Sequence, residues 1–159
     1  IKKVLYSGVE KISINTSSFL DPDLIKQASN IFGAQAIVVS IDINTNWFGK
    51  KSVYINGGNQ NTNIDPIKYA KQMEDLGAGE LLVNSIYKDG TMSGYDIDTI
   101  NDISNVVNIP LIALGGAGNV EDMKLIFNKT NASAVAAGSM FVYTGIHKAV
   151  LINYSNNLS

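Results

Sequence analysis

The sequence predicts an α/β protein with a parallel sheet, and more specifically the last five strand–helix units of a (β/α)8 (TIM) barrel. Five segments with strand character alternate with helical segments, a pattern that is typical of parallel strands joined by right-handed crossovers. Residues able to do chemistry follow the carboxyl end of every one of these strands. A barrel places its site on all of these loops, whereas a doubly wound sheet uses that edge only near one switch point.

The length of the chain limits how much of a barrel it can supply. A complete barrel needs about 250 residues, and the chain has 159. The first residue is Ile1 rather than methionine, and residues 1–9 have the pattern of a helix tail closed by Gly8. We therefore expect residues 1–159 to be a single domain and the C-terminal fragment of a barrel.

The pattern of apolar residues predicts each element. The strand at 10–16 alternates polar and apolar side chains, whereas the strand at 36–42 is almost wholly apolar and ends in Asp42. The polar segment 43–63 contains a strand and turn at 51–58, which predicts a small hairpin or ordered flap. Further strands are predicted at 81–86, 109–114 and 132–137, and helices at 22–32, 66–76, 97–107 and 120–127, followed by a helical stretch with Phe141, Val142 and Ile146.

Composition excludes several classes of function. Apolar residues make up 45% and charged residues 16% of the chain, as in ordinary soluble proteins, and no run is long enough to span a membrane. The net charge of −2 gives no basic surface for nucleic acid. The lack of cysteine excludes disulfides and thiolate metal sites and fits a cytoplasmic protein, and we predict no metal or cofactor. Every basic residue is lysine, so a phosphate would be held by backbone, hydroxyl groups and lysine.

Two glycine loops predict a phosphate site. Gly115-Gly116-Ala117-Gly118 links an apolar strand to a helix, where main-chain N–H groups can approach an anion and the helix N-terminus adds partial positive charge. Gly138-Ser139 ends the next strand, so the two loops are neighbours on the rim, beside Asp89-Gly90-Thr91. The alternative is that these glycines only form tight turns. Their combination on neighbouring loops favours phosphate binding.

Charged residues at the two ends of the strands suggest two further roles. Asp42 emerges from a buried strand, where an unused carboxylate is unfavourable, so we predict a general acid/base; a helix cap or loop ion pair is the alternative. Lys11 and Glu80 lie at the opposite ends of their strands. They either form an ion pair at the barrel floor or lie separately on a solvated rim.

The aromatic residues and the single histidine carry weaker signals. Trp47, Phe48 and Tyr54 lie in the segment 43–63 and either form a lid or pack within the flap. His147 is the only histidine and lies beyond the last predicted strand, so we expect no catalytic role for it.

Five motifs together resemble the cyclase subunits of imidazole glycerol phosphate synthase. The resemblance runs in order over essentially the whole chain and begins at the fourth strand of that family's barrel. Its motifs are Lys11-Ile12-Ser13-Ile14-Asn15-Thr16, residues 38–42, Gly77-Ala78-Gly79-Glu80, residues 89–96 and Gly115-Gly116-Ala117-Gly118.

The resemblance implies a carbon–nitrogen lyase that works as a heterodimer with a glutaminase subunit. Ammonia from the glutaminase crosses the barrel and reacts with a bis-phosphorylated substrate, giving imidazole glycerol phosphate and an aminoimidazole ribotide for histidine biosynthesis. Asp42 corresponds to one of two catalytic aspartates; the other lies on the first strand, so residues 1–159 alone should be inactive. The remaining correspondences are Asn15 and Thr16 to one phosphate site, Asp89, Gly90, Gly116, Gly138 and Ser139 to the other, and Lys11 and Glu80 to a charged ammonia gate.

Several positions depart from the family pattern and leave two alternatives open. Leu114 stands where the histidine-pathway enzymes usually have serine, Tyr87 replaces an acidic residue, and Asn84 replaces threonine. The tail, residues 134–143 and 147–154, is more similar to a paralogous branch that uses ammonia to convert an acetamido sugar to an acetamidino sugar in surface-polysaccharide synthesis. The other alternative is a non-catalytic half-barrel that acts in folding or interaction.

Overall fold

A computed structural model of the chain describes residues 1–144 and 149–150. Its strands are β1 (Ile12–Ile14), β2 (Ile37–Thr45), β3 (Lys51–Ile55), β4 (Gln60–Asn61), β5 (Glu80–Ser85), β6 (Leu111–Leu114), β7 (Ala134–Val135), β8 (Tyr143–Thr144) and β9 (Ala149–Val150). Its α-helices are α1 (Lys2–Leu5), α2 (Thr16–Leu20), α3 (Asp23–Phe32), α4 (Pro66–Asp75), α5 (Ile97–Ser104), α6 (Val120–Lys129) and α7 (Ser139–Val142).

The main sheet is parallel and open. Strands β1, β2, β5, β6 and β7 pair in that order, each parallel to the next, and helices connect them. Within the described residues β1 pairs only with β2 and β7 only with β6, so the sheet does not close. This arrangement confirms the predicted fold class, part of a (β/α)8 barrel.

Burial alternates along the strands and separates two faces of the sheet. In β2 the side chains of Val39, Ile41 and Ile43 are fully buried and belong to the core formed with α3, α4, α5 and α6. Ser40 and Asp42 point to the other face and are only partly buried. Since side chains of a strand alternate between faces, the helix-covered face holds the core. The opposite face, called the polar face below, carries Ser40, Asp42, Glu80 and Asn84 together with the apolar residues Val38, Leu82, Ile112 and Leu114.

Local sequence signals determine where helices begin. Asp65 caps α4, because its Oδ1 accepts hydrogen bonds from the amides of Ile67 and Lys68, both at 3.0 Å. Pro66 then occupies the first turn, where its missing N–H costs nothing. Helix α6 begins with a capping box formed by Asn119 and Asp122.

Strands β1 and β7 are shorter than predicted, and three other elements differ more clearly from the sequence prediction. Strand β2 continues past Asp42 to Thr45, because its last residues pair antiparallel with β3, as the predicted hairpin requires. The predicted final helix is wrong beyond Val142: Tyr143 begins β8, which pairs antiparallel with β9. Helix α2 is absent from the sequence prediction. Of the residues named for the predicted end of the chain, Ile146 and His147 lie outside the described residues.

Candidate functional site

One row of side chains crosses the polar face of the sheet near the carboxyl ends of its strands. Asp42 of β2 lies opposite Asn84 of β5, and Asn84 lies opposite Leu114 of β6. Asn15 follows β1 directly and contacts the same carboxylate. The parallel register therefore brings residues from four strands to one level of the predicted barrel.

Two amide side chains hold the Asp42 carboxylate. Asn15 Nδ2 donates to Asp42 Oδ2 over 3.1 Å and also to the carbonyl oxygen of Ser40 over 3.2 Å. Asn84 Nδ2 donates to Asp42 Oδ1 over 3.2 Å. Because each carboxylate oxygen accepts one N–H, the carboxylate has a fixed orientation, which a general acid or base requires.

Thr16 lies where the flap, residues 43–63, meets the start of α2. Its hydroxyl donates to Asn15 Oδ1 at 3.3 Å and accepts the backbone N–H of Asn56 at 2.9 Å. Asn15, Thr16 and Asp42, which the sequence assigned to two different roles, thus form one connected group. The flap borders this group.

The five residues of the second predicted phosphate site line one small pocket. A Cβ atom built on Gly90 would lie 4.0 Å from Ser139 Oγ, which shows how closely the loops after β5 and β7 approach. The pocket has a volume of about 10 Å³, enough for one water-sized group, so a phosphate would have to bind at its mouth. It is lined by Asp89, Gly90, Leu114, Gly115, Gly116, Ala117, Ala137, Gly138 and Ser139.

Glycine at position 116 is required by the packing of the loops after β5 and β6. The φ angle of Gly116 is 104°, and a Cβ atom there would collide with the carbonyl oxygen of Gly94. The amide of Gly94 donates to the carbonyl oxygen of Gly116 at 2.8 Å, and Lys88 Nζ donates to the Gly94 carbonyl at 3.1 Å. The two loops therefore form one hydrogen-bonded unit.

The N-terminus of α6 is already occupied by a carboxylate of the chain itself. Asp122 Oδ2 accepts the amides of Gly118 at 2.8 Å and Asn119 at 3.2 Å. These two amides are therefore already paired with a carboxylate of the chain and are not free to bind a phosphate. An anion at the loop would meet the backbone that precedes Gly118.

Tyr95 connects the loop after β5 to the end of β7. Its hydroxyl donates to the carbonyl oxygen of Ala136 at 2.9 Å, two residues before Gly138. Burial, with a smaller contribution from the negative charge of Asp122, raises the pKa of Tyr95 to about 12. The hydroxyl thus stays protonated at neutral pH and remains a donor.

Lys11 and Glu80 meet at the amino ends of the strands. Lys11 Nζ lies 2.8 Å from Glu80 Oε2, although β2 separates β1 from β5. Glu80 lies an even number of residues before Asn84 and therefore points to the same polar face. The Lys11 side chain is 52% exposed and that of Glu80 16%, so the pair forms at a solvent-accessible floor.

A buried charge cluster beside the hairpin turn of the flap could not be recognised from the sequence. Lys51 Nζ lies 2.8 Å from Asp96 Oδ1 and donates to Thr99 Oγ1 at 2.6 Å, and the Tyr87 hydroxyl donates to Asp96 Oδ2 at 2.7 Å. Asp96 is only 6% exposed. Lys51 and Asp96 are 45 residues apart, so no local pattern signals their contact.

The pKa values of this cluster follow from its burial and its pairing. Burial alone raises the pKa of the Asp96 carboxyl, but hydrogen bonds from Lys51, Thr99 and Tyr87 outweigh it and the net pKa is lowered. Burial lowers the pKa of Lys51, but its hydrogen bond and attraction to Asp96 raise it overall. Burial and Asp96 together raise the pKa of Tyr87. The cluster thus favours a lysine cation, an aspartate anion and a neutral tyrosine.

The aromatic residues of the hairpin turn do not pack against the flap. Trp47 is 97% exposed and Phe48 91% exposed, while Tyr54 pairs across the hairpin with Asp42. The turn itself is ordered, because Asn46 Oδ1 accepts the amides of Phe48 at 3.0 Å and Lys50 at 2.9 Å.

No metal cluster or membrane-spanning helix is found in the part of the chain that the structure describes. No three histidine, cysteine or acidic residues among residues 1–144 and 149–150 are placed to hold a metal ion. None of the helices there is long and apolar enough to cross a bilayer. The described site contributes a positioned carboxylate, amide side chains and glycine-rich backbone.

Comparison with known sequences places the chain among histidine biosynthesis proteins. It is 48% identical over 154 residues to the imidazole glycerol phosphate synthase subunit HisF of Hydrogenobaculum sp. (strain Y04AAS1), covering 97% of this chain and 61% of that protein. It is 46% identical over 143 residues to the HisF of Lactococcus lactis subsp. cremoris (strain SK11), covering 89% and 55%. The corresponding protein of Prochlorococcus marinus (strain AS9601) is 44% identical over 142 residues, covering 88% and 56%.

The chain thus spans between 55% and 61% of the length of these curated relatives. The similarity confirms the resemblance inferred from the five motifs. The sequence profile of the histidine biosynthesis protein family matches residues 1–148, which include every residue of the candidate site. The chain belongs to the histidine biosynthesis protein family.

Proposed function

We propose that the full-length protein is an ammonia-dependent cyclase subunit of the imidazole glycerol phosphate synthase type. Residues 1–159 supply the last five units of its barrel. The observation that carries the proposal is the Asp42 carboxylate, fixed by Asn15 and Asn84 at the carboxyl end of the sheet. The family and the names of the HisF relatives supply the reaction.

Asp42 is the general acid/base of this chain. A carboxylate with one amide on each oxygen keeps a free lone pair on each atom, so it can take up a proton from a bound substrate or return one. The second aspartate of the reaction is contributed by a strand outside residues 1–159. The isolated chain is therefore inactive in this proposal.

The two groups of loop residues hold the two ends of a bis-phosphorylated substrate. Asn15 and Thr16 bind one phosphate, and Asp89, Gly90, Gly116, Gly138 and Ser139 surround the other. Lys88, whose Nζ lies 3.1 Å from the Gly94 carbonyl, supplies a positive charge close to the second group. With no arginine in the chain, phosphate recognition relies on backbone amides, hydroxyl groups and lysine.

Ammonia is delivered from the opposite end of the sheet by a glutaminase subunit. The Lys11–Glu80 pair, with its 2.8 Å contact, closes the floor at that end and gates the passage. The partner docks against this floor, in the cytoplasm. In this proposal ammonia passes Ser40 and Leu82, which lie on the same face between the floor and Asp42.

The test is the exchange of Asp42 for asparagine in the full-length protein. Asp42→Asn is expected to abolish ammonia-dependent turnover and rescue of a histidine auxotroph, while substrate binding measured by calorimetry is retained. Asp98→Asn, an exposed position in the first turn of α5, serves as the matched control and should keep both. Turnover of Asp42→Asn at the wild-type rate would refute the acid/base assignment.

A second candidate function is favoured by Leu114. This leucine lines the pocket of the second predicted phosphate site, where its side chain offers no hydrogen bond. The candidate is transfer of ammonia to an acetamido sugar to give an acetamidino sugar. Failure of the wild-type protein to rescue a histidine auxotroph, combined with ammonia-dependent activity on an acetamido sugar nucleotide, would support it over histidine biosynthesis.

A further inference from the structure

The flap contacts Thr16 of one candidate substrate-binding group and the loop after β5, which carries part of the other group. At its inner end, the amide of Asn56 donates to Thr16 Oγ1 at 2.9 Å, next to Asn15. Close by, Gly58 approaches the loop after β5: a Cβ atom on Gly58 would lie only 2.7 Å from Ile86 Cδ1. The amide of Ile86 in turn donates to the carbonyl oxygen of Ile43, at the start of the flap, at 3.0 Å.

At its outer end the flap is joined to α5 by the buried charge cluster. Lys51 belongs to β3, while Tyr87 belongs to the loop after β5 and Asp96 caps α5. One carboxylate therefore accepts hydrogen bonds from both sides, from Lys51 at 2.8 Å and from Tyr87 at 2.7 Å. Because Asp96 is buried, loss of either donor leaves a charge with too few partners.

The segment between Tyr87 and Asp96 carries Asp89 and Gly90, as well as the Gly94 amide that is bound to Gly116. The hydroxyl of Tyr87, at one end of this segment, donates to the carboxylate of Asp96, at the other end. Lys51 attaches the flap to the same carboxylate, although it contacts none of the predicted substrate-binding residues.

We infer that Lys51 is a positioning residue, which through Asp96 and Tyr87 couples the flap to the loop 86–95 and so holds the two predicted phosphate-binding groups in a fixed relation. The inference rests on the proposed function for the identity of these two groups. The coupling itself is a property of the protein without ligand. It can be measured separately.

Amide hydrogen exchange on the full-length protein tests the coupling without ligand. In Lys51→Met, exchange is expected to rise about tenfold or more in two separate segments, 46–58 and 86–96: the flap loses its bond to Asp96, and the buried Asp96 carboxylate that holds 86–96 loses its cation. Lys50→Met is the matched control: the neighbouring lysine is exposed, and its removal should change neither segment. Faster exchange in the flap alone would overturn the inference, since it would make Lys51 a local anchor.

Hydrogen exchange in the presence of inorganic phosphate shows whether Lys51 couples the two segments or only stabilises the structure around it. In the wild-type protein, phosphate bound at Gly90 and Gly116 is expected to slow exchange in 86–96 and also in 46–58. In Lys51→Met the slowing should persist in 86–96 and disappear from 46–58, and Lys51→Arg should restore it in part. Equal slowing of the flap in wild type and Lys51→Met would overturn the inference.

Failure of the proposed function is distinguishable from failure of the inference. If phosphate changes no segment of the wild-type protein, the predicted phosphate site is wrong, and the ligand-free comparison of Lys51→Met with Lys50→Met still decides the coupling. If Lys51→Met does not fold, Tyr87→Phe replaces it, because it removes only the hydroxyl that donates to Asp96. Tyr87→Phe should raise exchange in both segments, and unchanged exchange in 46–58 would count against the coupling.

Discussion

Asn84 lies opposite Asp42 in the register of β5 and β2, and its amide Nδ2 donates to Asp42 Oδ1 over 3.2 Å. The other amide atom of Asn84, Oδ1, is buried and accepts no hydrogen bond from the described residues. A buried acceptor without a donor costs roughly 1–3 kcal/mol. Asn84 thus orients the candidate acid/base at a cost in stability, which is a common property of functional positions.

Replacement of Asn84 by alanine should impair turnover by disordering Asp42. We expect Asn84→Ala to lower kcat by about tenfold, less than the loss in Asp42→Asn, because general acid/base catalysis depends on the orientation of the group. Steady-state kinetics with ammonia and the bis-phosphorylated substrate provide the measurement. Asn30→Ala, at an exposed position of α3, is the control. An unchanged kcat in Asn84→Ala would mean that Asn15 alone is sufficient to orient Asp42.

Replacement of Gly116 by alanine should destabilise the protein. Its φ of 104° is unfavourable for alanine, and the new Cβ would collide with the Gly94 carbonyl. We expect the free energy of unfolding in urea to fall by about 2 kcal/mol or more. Gly138→Ala is the control, because φ is −122° there and nothing lies within 4 Å of the added atom. Equal stability of the two variants would contradict the close contact between the loops.

The stability that comes from the Lys51–Asp96 pair should depend on pH at both extremes. The pKa of Asp96 is lowered from 3.8, so its contribution is complete above that value and is lost as the pH falls through the lowered pKa. The pKa of Lys51 is raised from 10.5, so its contribution is complete below that value and is lost as the pH rises through the raised pKa.

We therefore expect Lys51→Met to be less stable than the wild-type protein by about 2 kcal/mol at neutral pH, because it leaves Asp96 buried without its cation. The difference should shrink below about pH 4 and above about pH 10. Urea unfolding of both proteins across this range gives the measurement. A difference that stays constant from about pH 3 to about pH 11 would show that lost packing, and not charge, is responsible.

Residues 1–159 expressed alone should associate. Within the described residues β1 and β7 each pair on one side only, and unpaired strand edges favour intermolecular pairing. A groove of about 540 Å³ runs along β1, and its apolar lining includes Ile1, Val4, Val9, Ile12, Ile14 and Leu24. Sedimentation equilibrium should show a mass that increases with concentration. A monomer mass at all concentrations would contradict this expectation.

The strands of the core could be predicted because burial alone determines their pattern. Ile37, Val39 and Ile41 are fully buried, and a continuous apolar run in the sequence is typical of such buried strands. The extension of β2 to Thr45 could not be predicted in the same way. Asn44 and Thr45 are polar, and only pairing with Ser52 and Lys51 across the hairpin makes them part of a strand.

Candidate site residues could be proposed from the sequence where they form local motifs, and they were missed where they depend on tertiary contacts. Asp42 was recognisable as a carboxylate in an apolar strand. Asn84 carries a similar signal, an amide in an apolar strand, and could have been assigned to Asp42 from the parallel register. The commitment of the Gly118 and Asn119 amides was also accessible, since Asn119 followed three residues later by Asp122 is the pattern of a capping box.

The alternation of buried and partly buried side chains along β2 limits how the sequence of this protein can change in evolution. Ile41 and Ile43 flank Asp42 and are both completely buried, so a shift of the strand by one residue would expose two isoleucines and bury the carboxylate. Changes in the surrounding loops therefore cannot move Asp42 by a single position along β2 without disrupting the core. The loop sequences are thereby left free to diversify while the carboxylate that we propose as acid/base keeps its position in the sheet.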